Sequence, residues 1–248
     1  MTTINPDIFK AYDVRGLYPG ELNEDTFHEL GRAFAVFLGP GTVAVTRDMR
    51  VSSPTLANAF IDGVLKQGVH VLDAGLAGTD MMYYAVASKG LMGGAQITAS
   101  HNPKQYNGCK MVKAEAFPLS GESGIREMKD MLLTNSLPAP ATTRGTSTPL
   151  DIMAPYIDHV MGFIDPTVIQ AFNTVLDAGS GIAGVVAPHL FDRLPCRTTK
   201  LCFEVDGTFP HHEANPLIEE NRQDITAEVI RQKADIGIAW DGDADRCF

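Results

Sequence analysis

The sequence predicts an α/β protein built from two tandem, repeated three-layer domains with mostly parallel, mixed sheets. Three observations support this fold class. Short apolar runs alternate with segments of helical period, a pattern typical of parallel strands covered by helices. The order of these segments occurs twice, because strands predicted to begin at Thr42 and Val69 have counterparts at Thr174 and Leu201, each 132 residues later. A stretch rich in proline, serine and threonine separates the two copies.

The same stretch sets the predicted domain boundaries. We place domain I at residues 1–134, a linker at residues 135–150 and domain II at residues 151–248. The linker contains three prolines and few large side chains, a composition typical of segments between domains. The first copy continues after its third strand, whereas the second ends at Phe248, directly after the equivalent loop. We therefore expect further domains of the same protein to be missing from the chain.

Domain I is predicted element by element from its apolar period. Residues 9–16 alternate apolar and polar side chains before a glycine, which indicates a short edge strand. Between Glu24 and Leu38, apolar side chains recur three and four residues apart, as on one face of an amphipathic helix. The segments that follow are predicted as strands at 42–46, 69–73, 95–98 and 110–114, and as helices at 54–67, 79–89 and 121–133.

Domain II is predicted in the same way. A helix over residues 151–163 precedes the second alternation of strands and helices. The strands are predicted at 174–176, 200–205 and 236–240, and the helices between them at 182–194 and 225–233.

Composition places the chain among globular proteins and limits its partners. Apolar residues make up 44% and charged residues 20% of the sequence, and no apolar run approaches the ~20 residues that a membrane-spanning helix needs. The 30 acidic and 20 basic side chains give a net charge of -10, which disfavours nucleic acid or an anionic membrane as a partner. The amino terminus shows no basic segment followed by an apolar core, so we expect no secretory signal and a cytoplasmic location.

The cysteines and histidines do not form a recognisable metal motif. The four cysteines have no CxxC spacing, so we interpret them as reduced packing residues. The adjacent histidines His211 and His212 lack the spacing of a zinc motif such as HExxH, which favours a loop or packing role for both.

The first candidate for chemistry is the sequence GGAQITASHNPKQYNGCK, from Gly93 to Lys110. Its first part is a strand pattern, and from Ser100 onward the chain turns to Asn, Pro and Gly, which favour turns. Ser100 is therefore predicted just past the carboxyl end of a strand, where ligands bind in open α/β sheets. On Ser100 and His101 alone, a polar loop without a function stays an open interpretation.

The equivalent strand of domain II ends in DGDADR, Asp241 to Arg246. Its three aspartates occupy alternate positions after an apolar strand, and carboxylates held close together repel one another unless a cation lies between them. Hard oxygen ligands of this kind favour magnesium, calcium or manganese. A solvated acidic turn is the alternative, because Asp and Gly are common in turns.

Three motifs, in order along the chain, resemble a known family. FKAYDVRG at residues 9–16, TASHNP at residues 98–103 followed by YNG and Lys110, and DGDADR at residues 241–246 together resemble the α-D-phosphohexomutases, in their phosphomannomutase and phosphoglucomutase branch. The resemblance implies an isomerase that interconverts the 1-phosphate and 6-phosphate of mannose, glucose or both. It also implies that Ser100 carries a phosphoryl group, that a hexose 1,6-bisphosphate is the intermediate and activator, and that the missing C-terminal domains recognise the phosphohexose.

The same resemblance implies roles for individual residues. One Mg²⁺ ion per active site would be bound by Asp241, Asp243, Asp245 and an oxygen of phospho-Ser100. Phosphate or substrate would be bound by Tyr12, Arg15, Asn102, Lys110 and Arg246. A proton relay to the sugar hydroxyl would fall to His101, Lys110 or Arg15, and the choice among the three stays open. The segment Arg47–Arg50 resembles a supporting segment of the same family.

Four alternatives are weighed against this function. A haloacid-dehalogenase-type phosphatase also has DxD after an apolar strand and would use Asp241 as its nucleophile, but the third carboxylate and Arg246 fit it less well. A serine hydrolase would need a GxSxG elbow, and an EF-hand would need glycine where Arg246 stands. The remaining alternative is a non-catalytic fragment that binds metal and phosphate.

Overall fold

The computed structural model describes residues 4–248, which form two compact units. Unit 1 runs to Ala99 and resumes over Gln105–Leu150, whereas unit 2 contains Ser100–Lys104 and Asp151–Phe248. Across residues 4–248, no helix has the length and hydropathy needed to cross a bilayer.

Unit 1 is a mixed sheet with helices packed against it. Its strands lie in the order β1-β5-β4-β2-β3-β7, and β6 pairs with β5. The neighbours β4, β2, β3 and β7 are parallel, whereas β1, β5 and β6 are antiparallel to the strands they contact. The strands are β1 (Val14–Leu17), β2 (Thr42–Arg47), β3 (His70–Leu76), β4 (Gly93–Ile97), β5 (Tyr106–Lys113), β6 (Phe117–Pro118) and β7 (Ser147–Pro149), and the helices are α1 (Glu24–Leu38), α2 (Ser53–Lys66), α3 (Thr79–Ser88) and α4 (Arg126–Leu133).

The pair α1 and α2 shows how the sequence sets local structure in unit 1. Asn23 caps α1, because its side chain accepts a hydrogen bond from the Thr26 amide at 3.0 Å. The two helix backbones approach closely at Gly31, where a Cβ atom would come within 2.1 Å of the Phe60 carbonyl oxygen. Phe34 packs against Phe60 with ring centroids 5.6 Å apart, so burial of these rings joins the two helices.

Residues 135–150, predicted as a linker, lie on unit 1 in the structure. The Ala141 and Gly145 amides donate to the carbonyls of Lys66 and Leu65 at 3.0 and 2.8 Å. Strand β7 then adds to β3 in parallel, at the edge of the sheet. The segment is rich in proline and polar residues, yet its backbone donors find partners at the end of α2 and along β3.

Unit 2 has a three-stranded parallel sheet in the order β10-β8-β9. Its core includes Val175, Ile225 and Ala239. The elements are α5 (Met153–Met161), β8 (Asn173–Asp177), α6 (Ala183–Phe191), β9 (Arg197–Leu201), α7 (Gln223–Gln232) and β10 (Ile236–Ala239). Strand β9 lies earlier than the predicted 200–205, because Cys202 has a left-handed backbone with φ of 52° that ends the strand. The predicted fold class, repeated α/β units with mixed and mostly parallel sheets, is confirmed.

Candidate active site

Ser100 follows the buried strand β4 and starts the loop of residues 100–104, which belongs to unit 2. Its backbone is left-handed, with φ of 50°, a conformation that is uncommon for residues other than glycine. Its residue surface is only 1% exposed. The loop therefore holds a serine hydroxyl in a fixed and shielded position.

The acidic motif forms the tip of a short hairpin that continues from β10. Ala239 and Phe248 exchange two backbone hydrogen bonds, and Trp240 pairs with Cys247. Residues 241–246 make the turn, with Ala244 in a left-handed conformation at φ of 61°. One carboxylate oxygen of each aspartate in the turn lies within 4.8 Å of the others. The hairpin thus gathers the three carboxylates at one point.

The serine loop and the acidic hairpin are joined by hydrogen bonds inside unit 2. Ser100 Oγ donates to Asp241 Oδ2 at 2.7 Å. Arg246 Nη2 lies within hydrogen-bond distance of Asp241 Oδ2, Ser100 Oγ and His101 Nδ1, and it shares its two N–H groups among these three acceptors. Because a guanidinium can only donate, His101 Nδ1 acts as the acceptor in its contact with Arg246.

Electrostatics at the hairpin are unbalanced. Asp241 and Asp243 are 1% and 0% exposed, and Asp245 is exposed. Burial, followed by the charges of Asp243 and Asp245, raises the pKa of Asp241 to about 6, although its hydrogen bond from Ser100 and the charge of Arg246 act against that rise. Within residues 241–246, three carboxylates therefore stand against one guanidinium, and the motif itself carries a net negative charge.

The donor set at this point fits a hard divalent cation. All three groups are carboxylates, which suit Mg²⁺, Ca²⁺ or Mn²⁺ better than metals that prefer thiolate or imidazole. A cation there would also favour the ionised form of Asp241, which burial disfavours. The residues Asp241, Asp243 and Asp245 thus suit the predicted Mg²⁺, and their role as ligands stays a prediction.

The predicted site residues of unit 1 differ in how firmly they are held. Arg15 lies on β1, where Nη1 donates to the Ala99 carbonyl at 2.6 Å and Nη2 pairs with Asp13. Lys110 is half-buried on β5, opposite Gln96 of β4. Tyr12 is 77% exposed. In unit 2, Asn102 is half-buried in the serine loop.

Unit 1 also contains a buried polar network that sequence reasoning assigned only to general support. Asp48 Oδ1 accepts from the Arg50 amide at 3.0 Å and from the Ser53 hydroxyl at 2.5 Å, and Oδ2 accepts from Arg50 Nε at 3.1 Å and from the Thr98 hydroxyl at 2.7 Å. Asn107 donates to Ser53 at 3.0 Å. Thr98 directly precedes Ala99 and Ser100 in the chain, so the network fixes the end of the segment that leads into the serine loop.

Comparison with known proteins identifies the family of this chain. Residues 6–136 match the family model for phosphoglucomutase/phosphomannomutase, alpha/beta/alpha domain I, and residues 154–248 match the model for domain II. The chain belongs to the phosphoglucomutase/phosphomannomutase family. The resemblance that the three sequence motifs predicted is therefore confirmed.

Relatives within this family are similar along almost the whole chain. A phosphomannomutase of Escherichia coli is 41% identical over 247 residues, covering 97% of this chain and 54% of that protein. Phosphohexose mutases of Xanthomonas campestris pv. campestris (strain B100) are 39% identical over 241 residues, covering 97% of this chain and 53% of theirs. The chain spans about half the length of the curated relatives it matches.

A solved structure of the same family shares the fold. A phosphoglucomutase/phosphomannomutase family protein of Burkholderia thailandensis superposes with a TM-score of 0.91 at 34% sequence identity. The match covers 99% of this chain and 54% of that protein.

Proposed function

We propose that this chain carries the phosphoserine loop and the metal-binding loop of a mutase that interconverts hexose 1-phosphate and hexose 6-phosphate. The observation that carries the proposal is the placement of the Ser100 hydroxyl, 2.7 Å from the Asp241 carboxylate and hydrogen-bonded by Arg246. A buried nucleophile beside a cluster of carboxylates and a guanidinium suits phosphoryl transfer, in which the protein chiefly positions the groups and balances charge. The phosphomannomutases among the relatives support mannose or glucose phosphates as substrates.

The proposed chemistry has two transfers. In the first, the free hydroxyl of a hexose monophosphate attacks the phosphorus of phospho-Ser100. The bond from phosphorus to the sugar oxygen forms, the bond from phosphorus to Ser100 Oγ breaks, the sugar hydroxyl loses its proton and Oγ gains one, and the sugar becomes a hexose 1,6-bisphosphate. In the second, Ser100 Oγ attacks the phosphorus at the other end of this bisphosphate. The bond from Oγ to phosphorus forms, the bond from that phosphorus to the sugar oxygen breaks, Oγ loses its proton and the sugar oxygen gains one, so phospho-Ser100 is restored. The sum of both transfers exchanges the phosphorylated position of the hexose.

Residues of unit 2 would prepare Ser100 for this reaction. Asp241 Oδ2 accepts the hydroxyl proton, so Oγ presents a lone pair away from Asp241. His101 Nδ1, 3.3 Å from Oγ, is a second acceptor for that proton. Arg246 donates to Oγ and is placed to balance the charge of a phosphoryl group bound there. A Mg²⁺ ion held by Asp241, Asp243, Asp245 and an oxygen of phospho-Ser100 would supply further positive charge beside the phosphoryl oxygens.

The remaining residues are proposed to bind the substrate, to relay a proton and to orient the serine loop. Arg15 and Lys110 would balance phosphate charge, and either of them or His101 would relay a proton to or from the sugar hydroxyl. Tyr12 is proposed to contact substrate and Asn102 to orient the loop. Selection of the sugar is assigned to the part of the longer relatives that this chain does not match.

Phosphorylation of Ser100 is the direct test. The 248-residue chain is incubated with glucose 1,6-bisphosphate or mannose 1,6-bisphosphate and Mg²⁺, and intact and peptide masses are measured. We expect one phosphate on Ser100, none in Ser100→Ala, and an unchanged result in Ser180→Ala, a buried serine that also has positive φ. Phosphate on Asp241 would instead support a phosphatase that uses this residue as its nucleophile.

A mutase assay separates the enzyme from a binding fragment. The chain and a longer form of the protein are supplied with hexose 1-phosphate, bisphosphate activator and Mg²⁺, and formation of hexose 6-phosphate is followed by a coupled dehydrogenase. Turnover by the longer form, with phosphorylation of Ser100 but no turnover in the shorter chain, would mark the chain as a catalytic half-site. Absence of both phosphorylation and turnover in the longer form would contradict the proposed function.

A further inference from the structure

A second cluster of metal-ligating side chains lies in unit 2, outside the serine loop and the acidic hairpin. It consists of Asp177 at the end of β8, Cys202 directly after β9, and His212 in the loop that follows. His212 Nε2 lies 3.0 Å from Asp177 Oδ2 and 3.8 Å from Cys202 Sγ. One ligand atom from each of the three residues lies within 4.8 Å of the others. The thiol and the carboxylate therefore converge on a single ring nitrogen.

Outer hydrogen bonds orient two of these three groups. His212 Nδ1 lies 3.0 Å from the Glu213 carbonyl oxygen, and because a carbonyl only accepts, Nδ1 carries a proton. The neutral ring then has its lone pair on Nε2, the nitrogen that faces Asp177 and Cys202. Asp177 Oδ1 accepts from the Gly179 amide at 2.9 Å, which fixes the carboxylate and leaves Oδ2 directed at the cluster. Histidine and carboxylate ligands of metal sites are typically held by such outer contacts.

The geometry excludes a nucleophilic triad. In a Cys-His-Asp triad the thiol and the carboxylate contact different ring nitrogens, so that the ring can pass a proton between them. Here both contact Nε2, and Nδ1 is occupied by a backbone carbonyl.

A proton on His212 Nε2 is the alternative to a metal ion between the three side chains. Without a metal, the hydrogen bond to Asp177, followed by that to Cys202, raises the pKa of His212 to about 11 even though burial acts in the opposite direction. The protonated ring makes an ion pair with Asp177, but a single N–H cannot satisfy both the carboxylate and the thiol well. A metal ion in place of that proton would be within reach of all three ligands at once.

We propose that Asp177, Cys202 and His212 form a second metal site, selective for Zn²⁺ over Mg²⁺. Thiolate and imidazole ligands suit Zn²⁺, whereas the all-carboxylate hairpin suits hard cations, so the two clusters should bind different metals. Three protein ligands leave one position of a tetrahedron for water or a small ligand. Cys202 also lines a cleft of about 470 Å³, so this side of the cluster is accessible from solvent.

Cobalt(II) is a suitable probe, because it takes zinc ligands and gives a charge-transfer absorption band only when a thiolate binds it. The reduced, chelator-treated 248-residue chain is titrated with Co²⁺ in excess Mg²⁺, the ion proposed for the carboxylate hairpin. We expect the band to saturate at one Co²⁺ per chain and to disappear when Zn²⁺ is added. Native mass spectrometry should then show one Zn²⁺ bound.

Matched variants assign the band to this cluster. Cys202→Ser should abolish it and weaken Zn²⁺ binding by more than about 100-fold, since loss of an outer-shell partner alone costs about 10–100-fold. This variant keeps the contact between His212 and Asp177, so circular dichroism should show an intact fold. The band should persist in Cys196→Ser, Cys247→Ser and Asp243→Asn.

Two results would overturn the proposal. One is the absence of any thiolate band in folded protein at stoichiometric Co²⁺. The other is a band that survives Cys202→Ser, or that is lost in Cys247→Ser or Asp243→Asn, because the metal would then lie at the hairpin or at a surface thiol.

Discussion

Two charged clusters of this chain both contain buried aspartates but differ in charge balance. In unit 1, Asp48 and Arg50 are both 0% exposed, and each carboxylate oxygen of Asp48 accepts two hydrogen bonds. In unit 2, Asp241 and Asp243 are also buried, but residues 241–246 contain three carboxylates and one guanidinium, that of Arg246, which pairs with Asp241 and Asp245.

The difference shows that burial alone does not mark a functional site. The cluster in unit 1 is neutral and hydrogen-bonded within itself, so it needs no ligand and serves to hold the backbone. The hairpin in unit 2 keeps an excess of negative charge, and burial with neighbouring carboxylates raises the pKa of Asp241 to about 6. A cation removes that excess, and we therefore expect ligand-dependent stability only in the second cluster.

The largest expected change in unfolding free energy comes from the neutral cluster of Asp48 and Arg50 in unit 1. Asp48→Asn leaves the guanidinium of Arg50 buried without its counter-charge, and such a loss costs about 3–5 kcal/mol of unfolding free energy. Urea denaturation followed by circular dichroism measures it.

Asp62→Asn is the control for this prediction. Asp62 pairs with Arg144 at the surface, where both side chains are 51% exposed, so the change should cost less than about 1 kcal/mol. Equal losses in the two variants would mean that the Asp48 cluster contributes no more than an exposed ion pair.

The hairpin with Asp241, Asp243 and Asp245 should instead make the stability of the protein depend on metal. Mg²⁺ at 100 times its dissociation constant should raise the unfolding free energy by about 2.7 kcal/mol, since it binds only the folded hairpin. Asp243→Asn should remove this gain and should stabilise the metal-free protein, because it relieves repulsion among the carboxylates. Thermal unfolding with Mg²⁺ or with a chelator measures both effects.

Asp192→Asn, which changes an exposed carboxylate of unit 2, should leave the response to Mg²⁺ unchanged. An Mg²⁺ response that persists in Asp243→Asn would place the ion elsewhere and remove the contrast between the clusters.

Much of the fold could be predicted from the sequence, because the spacing of apolar residues and the residues that cap helices are local signals of secondary structure. Helix α1 was predicted over the residues it occupies, since its apolar face is regular and Asn23 and Gly39 bound it. Strand β7 was missed, because Ser147, Thr148 and Pro149 show no alternation of apolar and polar side chains. They form a strand only by pairing with β3. The end of β9 was missed because the left-handed backbone of Cys202 is not encoded by a glycine.

The candidate site could be predicted in part for the same reason. Ser100 and Asp241 both follow apolar strands, and position in an α/β sheet singled them out before any contact was known. The cluster of Asp177, Cys202 and His212 could not be found in this way. Asp177 and Cys202 lie 35 and 10 residues before His212 in the sequence, and the three side chains meet only through the fold. Their spacing matches no local metal motif.

A smaller effect tests the amide that completes the balanced cluster. Asn107 is 0% exposed; its side chain donates to Ser52 and Ser53 and accepts from the Gly108 amide. Asn107→Ala leaves these buried groups short of partners and should cost about 1–3 kcal/mol, measured by urea denaturation. Gln105→Ala, at an exposed position of the same unit, should change stability by less than about 0.5 kcal/mol. A loss as small as that of the control would show that water replaces the amide.

The smallest effect concerns backbone strain at the tip of the unbalanced hairpin. Ala244 has φ of 61°, which costs an L-residue roughly 1–2 kcal/mol, whereas glycine adopts it freely but gives the unfolded chain more entropy. Ala244→Gly should therefore stabilise the metal-free protein by up to about 1 kcal/mol. Ala227→Gly, at an exposed position inside α7, should destabilise it by about 1 kcal/mol. If the two variants change the unfolding free energy in opposite directions in urea denaturation, the hairpin holds its carboxylates on a backbone that is locally unfavourable. The described residues 47–53 around Asp48 include none with positive φ, so the cluster in unit 1 carries no such cost.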